Sequence, residues 1–332
     1  LLVIEDCRDK RVWLSACGVT EPAKILLDRF QAQIAQAARQ GFPPVPTGHA
    51  SRPIDIRPNF EKEEYKAAVD RMIRYIIEGD IYIANMTQRL DVASDKDPLS
   101  VFYYLREHNP SPFGGYLDCG DHQIVCASPE RFLQLKDGLV QTRPIKGTRK
   151  RGDTPEEDAA LRLELEQSEK DKSELLMIVD LERNDLNRVC RPGSVKVTEL
   201  FTVEAYATVF HLVSNIQGQL AEGMDVTDLL RAAFPGGSIT GAPKYRAMEI
   251  IDQLENNKRG TYGGAIGYLD FTGNLDVCIA IRLAFQKNGK VFVRSGAGIV
   301  ADSVPEKEYQ ECINKAQAVV SALELAQKEK DL

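Results

Sequence analysis

The hydrophobic positions change period along the chain, and each change marks an element. Residues 1–17 alternate on either side of a polar pair, Asp9-Lys10, and predict two short strands around a turn. Ile25, Leu26, Leu27, Phe30 and Ile34 then recur at helical spacing, with Thr20 as the expected cap and Pro22 in the first turn. Residues 41–60 lose any period: Gly41, Gly48, Pro43, Pro44, Pro46, Pro53 and Pro58 read as a linker or surface crossing. A second helix is expected next, capped by Asn59, with Tyr65, Val69, Met72, Ile73 and Ile76 on one face and Gly79 at its end.

Beyond residue 80 the runs shorten. Segments 80–92, 112–118, 122–127, 130–135 and 138–143 read as strands separated by turn residues. Helices are predicted at 154–166 and 170–187, strands at 194–201 and 206–219, and helices at 225–233 and 243–254 around a glycine-rich loop. Runs 261–271, 274–286 and 290–300 look like a meander, with hairpin signals at Thr272-Gly273-Asn274 and Asn288-Gly289. A last helix starts near Pro305 and runs to about 327. Strands joined by hairpins, with helices in blocks, predict an α+β fold with large antiparallel sheets.

Composition narrows the class. The 332 residues carry a net charge of −7, with 43% hydrophobic and 27% charged positions. That balance is ordinary for a globular chain and excludes disordered, collagen-like and disulfide-scaffold classes. The acidic balance argues against nucleic-acid binding, and Arg149-Lys150-Arg151, the one basic run, reads as a solvated turn. Seven scattered cysteines form no C-x-x-C pair, which suits a reducing, cytoplasmic setting. No stretch approaches the roughly 20 apolar residues of a membrane span, and no secretory signal is expected.

Candidate chemistry lies in a few places. Asp171 with Glu174, and Glu308 with Glu311, stand at i, i+3 spacing, so each pair shares a helix face. Brought together, the four carboxylates would suit a hard cation such as Mg²⁺. Alone, each pair also fits a solvated face neutralised by Lys170, Lys172 or Lys307. The loop from Phe234 to Lys244 resembles an anion-binding loop feeding a helix, with Pro243 at the first helical position. It lacks the ending of a P-loop. Ser295-Gly-Ala-Gly-Ile299 offers further backbone donors. Arg282 interrupts an apolar run and needs either an anionic ligand or a structural carboxylate. Lys146 precedes Gly147 at a strand end: desolvated, its amine would be a nucleophile, and exposed it would be inert. Glu130 reads as a general acid or as the ion-pair partner of Arg131. His211, in an apolar run, reads as a hydrogen-bonded core histidine.

Nine stretches occur in one order: Gly79-Asp-Ile-Tyr82, Ser128-Pro-Glu-Arg131, Arg143 to Thr148, Ile178 to Asp185, His211-Leu-Val-Ser214, the 234–244 loop, Gly263 to Tyr268, Ser295 to Asp302 and Glu308 to Lys315. Over residues 55–325 they resemble the chorismate-utilising enzymes, a family that includes the large subunits of anthranilate and aminodeoxychorismate synthases and the isochorismate and salicylate synthases. The resemblance implies antiparallel sheets packed face to face with helices outside. It implies a chorismate-binding catalytic domain over 55–328. Residues 1–54 would be a linker and the remnant of an N-terminal region otherwise absent. It also implies Mg²⁺ held by Glu174 and Glu311, with Asp171 and Glu308 acting through water. Arg282, Tyr268 and the amides around Gly296 and Gly298 would hold the enolpyruvyl carboxylate. Thr148, His211 and Ser238 would line the pocket, and Glu130 would be the general acid/base.

Pro144-Ile-Lys146-Gly-Thr148 resembles the aminodeoxychorismate synthase branch, in which the lysine attacks the ring; anthranilate synthases carry alanine there. The implied reaction takes chorismate and ammonia, supplied by a glutaminase subunit, to 4-amino-4-deoxychorismate for folate synthesis. The alternatives are anthranilate synthase component I and a non-catalytic chorismate-binding relative. Ile83 departs from the family, which has glutamine there, or lysine in isochorismate synthases. Isoleucine cannot activate water.

Overall fold

A computed structural model describes residues 1–41, 54–94 and 96–326. The chain divides into two compact units, Leu1–Thr47 and Gly48–Leu332. Residues 42–53, expected to form a linker, and residues 327–332 lie outside the described residues.

In the first unit, β1 (Leu2–Asp6) and β2 (Arg11–Ser15) form an antiparallel hairpin, followed by α1 (Ala23–Gln40). Pro22, in extended backbone, is the N-cap of α1, and no side chain caps it. Thr20 stands too far upstream to reach the first-turn amides, contrary to expectation.

The second unit begins with β3 (Ile56–Pro58), α2 (Lys62–Ile77), β4 (Ile83–Ala93), α3 (Pro98–His108), β5 (Phe113–Asp118), β6 (Gln123–Ser128), β7 (Arg131–Lys136), β8 (Leu139–Arg143) and β9 (Ile145–Lys150). It continues with α4 (Pro155–Gln167), α5 (Glu169–Asn187), β10 (Lys196–Ala205), β11 (Val209–Gln219), α6 (Val226–Ala233), β12 (Gly241–Ala242) and α7 (Lys244–Leu254). The last elements are β13 (Ala265–Leu269), β14 (Leu275–Ile279), β15 (Leu283–Lys287), β16 (Lys290–Ile299) and α8 (Pro305–Ala326). Two antiparallel sheets result. One runs β10-β11-β8-β7-β14-β13, with β9 also on β11; the other runs β12-β4-β16-β15-β6-β5, with β3 also on β4.

Strand alternation decides which side chains meet helices. On β16, Val291, Val293, Ala297 and Ile299 pack into cores shared with α2, α3, α7 and α8. The intervening Arg294, Gly296 and Gly298 line a cavity on the opposite face. On β11, Phe210, Leu212 and Ile216 pack with α4, α5 and α6, while His211 faces that same cavity.

Several expectations are corrected. α2 is capped by Glu61, whose side chain and that of Glu64 satisfy each other's backbone N–H groups. Carboxylates are favoured at a helix start by its dipole. Asn59 instead accepts the N–H of Arg89 at 2.5 Å, tying the chain to β4. α3 was not expected, although Asp97-Pro98 is a helix-start signature and Asp97 accepts the Leu99 N–H at 3.1 Å. Pro243 is the N-cap of α7 rather than its first helical residue. The 149–151 run is the end of β9 and the residue after it rather than a solvated turn: Arg149 bonds Glu164 at 2.7 Å and Asp171 at 3.1 Å, and Arg151 grips Asp158 with two 2.7 Å bonds. The expected strand 274–286 breaks in two, because β14 pairs in one sheet and β15 in the other. No simple meander forms.

β12 must pass close to β4. A Cβ on Gly241 would stand 2.1 Å from the Ile83 carbonyl oxygen and 2.8 Å from the Ala84 Cα. Both obstacles are backbone, so Gly241→Ala is expected to cost about 1–3 kcal/mol, the usual scale of overpacking. Chemical denaturation checks this. Among the described residues, no helix is long and apolar enough to cross a membrane.

Candidate active site

The cavity between the two sheets measures about 420 Å³, within the range of small-molecule sites. One wall comes from β9 and β11. Thr148 pairs in register with His211, and Thr148 Oγ1 lies 2.9 Å from His211 Nδ1. Burial first, and then the Arg282 charge, push the histidine down to about 4. It is therefore neutral near pH 7, and it is hydrogen-bonded as expected, though on a cavity wall. The register slips at this point, and Gly147 sits in the bulge at φ +75°. A Cβ there would be 2.8 Å from Asp171 Cγ, so both conformation and space demand glycine.

Lys146 projects into the cavity beside that bulge. Its amine donates to the Ser238 carbonyl oxygen at 3.4 Å. Its charge acts on Glu130, Glu174 and Glu311. It forms no ion pair among the described residues, whereas Lys170 reaches Glu174 at 3.8 Å and Lys315 reaches Glu311 at 2.5 Å.

Glu130 and Arg282 are placed by the strand that changes sheets. At the crossing, Arg282 takes φ +51°, and its carbonyl oxygen accepts the Ala127 N–H at 3.0 Å. Just before it, the Ile279 N–H donates to the Glu130 carbonyl oxygen at 3.0 Å. Arg131 does not pair with Glu130: it makes a two-pronged bond to Asp276 at 3.0 and 3.1 Å. Glu130 is thus left buried in the cavity wall, accepting the Ile145 N–H at 3.4 Å. Burial raises its pKa, and Lys146 opposes that rise. Arg282 has no ion pair among the described residues, so no structural carboxylate claims it. Burial lowers its pKa, but a guanidinium stays charged near neutrality. Ser238 Oγ is buried beside Glu130, whose pKa it works to lower, and makes no hydrogen bond of good geometry among the described residues. Gly296 and Gly298 line the same space, and a Cβ on Gly298 would come within 3.4 Å of the Lys146 amine.

Tyr268 is not part of this constellation. It is 62% exposed on β13, the edge strand, and does not line the cavity. The tyrosine on the wall is Tyr262, buried six residues earlier. It was missed, although Thr261-Tyr-Gly-Gly264 marks a turn entering the strand. Lys315, one helical turn after Glu311, was missed likewise.

The cavity is also lined by Asp171 and Glu174 from α5 and Glu308 and Glu311 from α8. Burial raises Glu174, with Glu311 and Asp171 adding to it. Burial also raises Glu308, again with Glu311 adding, although the Ser303 hydroxyl donates to it at 2.8 Å. Burial works to raise Glu311 too, but Lys315 holds it below its usual value. Among the described residues, no three such side chains close into a metal cluster. The donor chemistry still suits a hard cation. Glu174, Glu308 and Glu311 are oxygen donors from two helices, and a cation would relieve their repulsion. Asp171 is engaged by Arg149 at 3.1 Å.

A two-sheet α+β scaffold holding a mixed basic and acidic cavity defines the class of protein. The sequence matches the family described as chorismate binding enzyme over residues 2–321, and the chain belongs to that family. Anthranilate synthase component 1 of Aquifex aeolicus is 46% identical over 275 residues, 83% of this chain and 56% of that protein. Aminodeoxychorismate synthase component 1 of Bacillus subtilis is 47% identical over 270 residues, 81% of this chain and 57% of that one. The crystal structure of anthranilate synthase component I from Streptococcus pneumoniae superposes with a TM-score of 0.85 at 36% identity, covering 96% of this chain and 71% of that one. The chain spans about half the length of the curated relatives it matches.

Proposed function

We propose that the chain is the catalytic part of an enzyme that converts chorismate and ammonia to 4-amino-4-deoxychorismate. The observation that carries this reading is Lys146, a cavity amine with no ion pair among the described residues, set among Glu130, Glu174 and Glu311. The ammonia comes from a separate glutaminase subunit. The name component 1, borne by the relatives, supports a second component. All seven cysteines are free, which supports a cytoplasmic setting.

Chorismate is a dianion, so its two carboxylates need positive charge before a nucleophile approaches. Arg282 suits the enolpyruvyl carboxylate, with Tyr262 and the Gly296–Gly298 backbone beside it. The ring carboxylate belongs against Glu174, Glu308 and Glu311, which would hold Mg²⁺. The cation supplies the charge that bare carboxylates cannot. Thr148, neutral His211 and Ser238 offer uncharged hydrogen-bonding groups around the ring. Lys146 passes an ammonium proton to the Glu130 carboxylate, and the freed amine bonds to ring C2 as the double bonds shift and the C4–O bond breaks. Glu130 gives its proton to the departing hydroxyl, which leaves as water. Ammonia then bonds to C4, the double bonds shift back, the C2–lysine bond breaks, and the proton shed by the new C4 amine returns the lysine to its ammonium form. Chorismate plus ammonia has become aminodeoxychorismate plus water. Ile83, buried and apolar near Gly298, supplies no base for water attack, which disfavours an isochorismate product.

Relatives named anthranilate synthase component 1 favour a second reading, in which ammonia itself attacks C2 and anthranilate results. Incubation with chorismate, ammonium salt and Mg²⁺, followed by chromatography and mass analysis, separates the two. Aminodeoxychorismate without anthranilate supports the Lys146 scheme; anthranilate overturns it. Protein that binds chorismate and forms neither product is a non-catalytic relative. Chelation of divalent metal is expected to abolish turnover and Mg²⁺ to restore it. Full turnover in metal-free protein would remove the cation from the scheme.

A further inference from the structure

Behind Glu130 lies a second buried carboxyl that the proposed reaction does not use. Glu182, on α5, is 6% exposed. The groups that face it are Glu130 from the β6–β7 junction, Thr142 from β8, Asp185 from its own helix and Lys244 from α7. Lys244 is committed elsewhere: its amine donates to Asp185 Oδ2 at 2.6 Å and to the Ala233 carbonyl oxygen at 2.7 Å. Glu182 therefore has no cation of its own among the described residues.

The geometry around Thr142 favours the protonated form of Glu182. Thr142 Oγ1 lies 2.7 Å from the Phe132 carbonyl oxygen and 2.8 Å from Glu182 Oε2. A hydroxyl has one hydrogen to donate. A carbonyl oxygen can only accept, so that hydrogen goes to Phe132. The proton in the second contact then belongs to Glu182, whose O–H donates to the threonine oxygen. Burial agrees with this assignment: with the Glu130 charge adding to it, burial pushes the carboxyl up to about 8.

We propose that Glu182 is the neutral second carboxyl of a buried pair with Glu130, a positioning residue whose proton limits the negative charge at that end of the cavity. This rests on the reading of Glu130 as the acid/base group. Two carboxyls so placed do not ionise independently. While Glu182 keeps its proton, Glu130 can give up and regain its own beside a neutral neighbour. Once Glu182 ionises, a second negative charge opposes both the Glu130 anion and an incoming dianion.

Carboxyl ¹³C titration of protein labelled in its glutamate side chains tests this, with Glu130→Gln and Glu182→Gln assigning the two signals. In the parent protein, a step with its midpoint near pH 8 is expected, and E182Q should abolish it. The same variant should turn the Glu130 titration into one independent step. A Glu182 signal already ionised at neutral pH overturns the proposal, as does a Glu130 curve unaltered by E182Q. A second measurement is kcat/KM for chorismate against pH. It should fall above pH 8 in the parent protein, lose that fall in E182Q, and regain it in Glu182→Asp. Superimposable profiles overturn the positioning role. The titration needs no turnover, so it tests the buried pair even in a chain that aminates no chorismate. There the functional reading and the positioning role would fall, and the pairing of the two carboxyls would be judged by the ¹³C curves alone.

Discussion

Lys146→Ala is expected to lower aminodeoxychorismate formation by at least about a thousandfold, the order of loss when a group acting as nucleophile within a coupled set is removed. The other lysines of the cavity cannot replace it, since Lys170 and Lys315 are held by Glu174 and Glu311. Lys146→Arg should be as inactive as the alanine variant. A guanidinium keeps the charge beside Glu130 but is no nucleophile near neutral pH. This comparison separates covalent from electrostatic roles: an arginine variant that keeps most of the rate would leave Lys146 only as a charge. Product analysis under saturating ammonium, with thermal melting to verify the fold, is the measurement. Neither change removes core packing, because Lys146 is half-buried and donates only to the Ser238 carbonyl.

Local pattern carried much of this architecture. The strand runs at 206–219 and 290–300 were readable from sequence. The alternation on β11 and β16 that sends Leu212 and Val293 to the helices and His211 and Gly298 to the cavity was not, and sequence alone puts His211 in the core. The i, i+3 carboxylate pairs placed Asp171, Glu174, Glu308 and Glu311 on two helix faces. That those faces meet in one cavity is tertiary, and only the resemblance implied it. The sheet crossing was hidden because residues 277–285 form one apolar run interrupted by Arg282 alone. Backbone φ at Arg282, not hydrophobicity, separates its halves.

Pairings between distant segments were the least legible. Arg131 has Glu130 as its neighbour in sequence and chooses Asp276, 145 residues away, with two-pronged geometry that an adjacent residue cannot offer. The same choice frees Glu130. Tyr262 and Tyr268 bracket the same glycine-rich stretch of sequence. Their difference is that one precedes the edge strand and is buried, while the other lies on it and is exposed. The run at 149–151 looked solvated because three adjacent cations have no local partners. Their carboxylates lie on α4 and α5.

Glu130→Gln is expected to separate activity from stability. Without a proton donor, hydroxide is a poor leaving group, and the turnover rate should fall about 10²–10⁴-fold, with little change in KM. Stability should move the other way. Burial raises the folded-state pKa of Glu130 above its unfolded value. The folded chain then binds the proton more tightly than the unfolded chain. The group's contribution is complete below the unfolded pKa and is lost as pH rises through the folded pKa. Glutamine has no proton to lose, so the stability gain of the variant should grow with pH across that window and level off above it. Urea unfolding at a series of pH values measures the gain. A difference independent of pH would mean that Glu130 ionises alike in the folded and unfolded chains, and its burial would then be no cause of its role as an acid. Activity retained alongside the stability gain would instead show that the leaving hydroxyl takes its proton from another group.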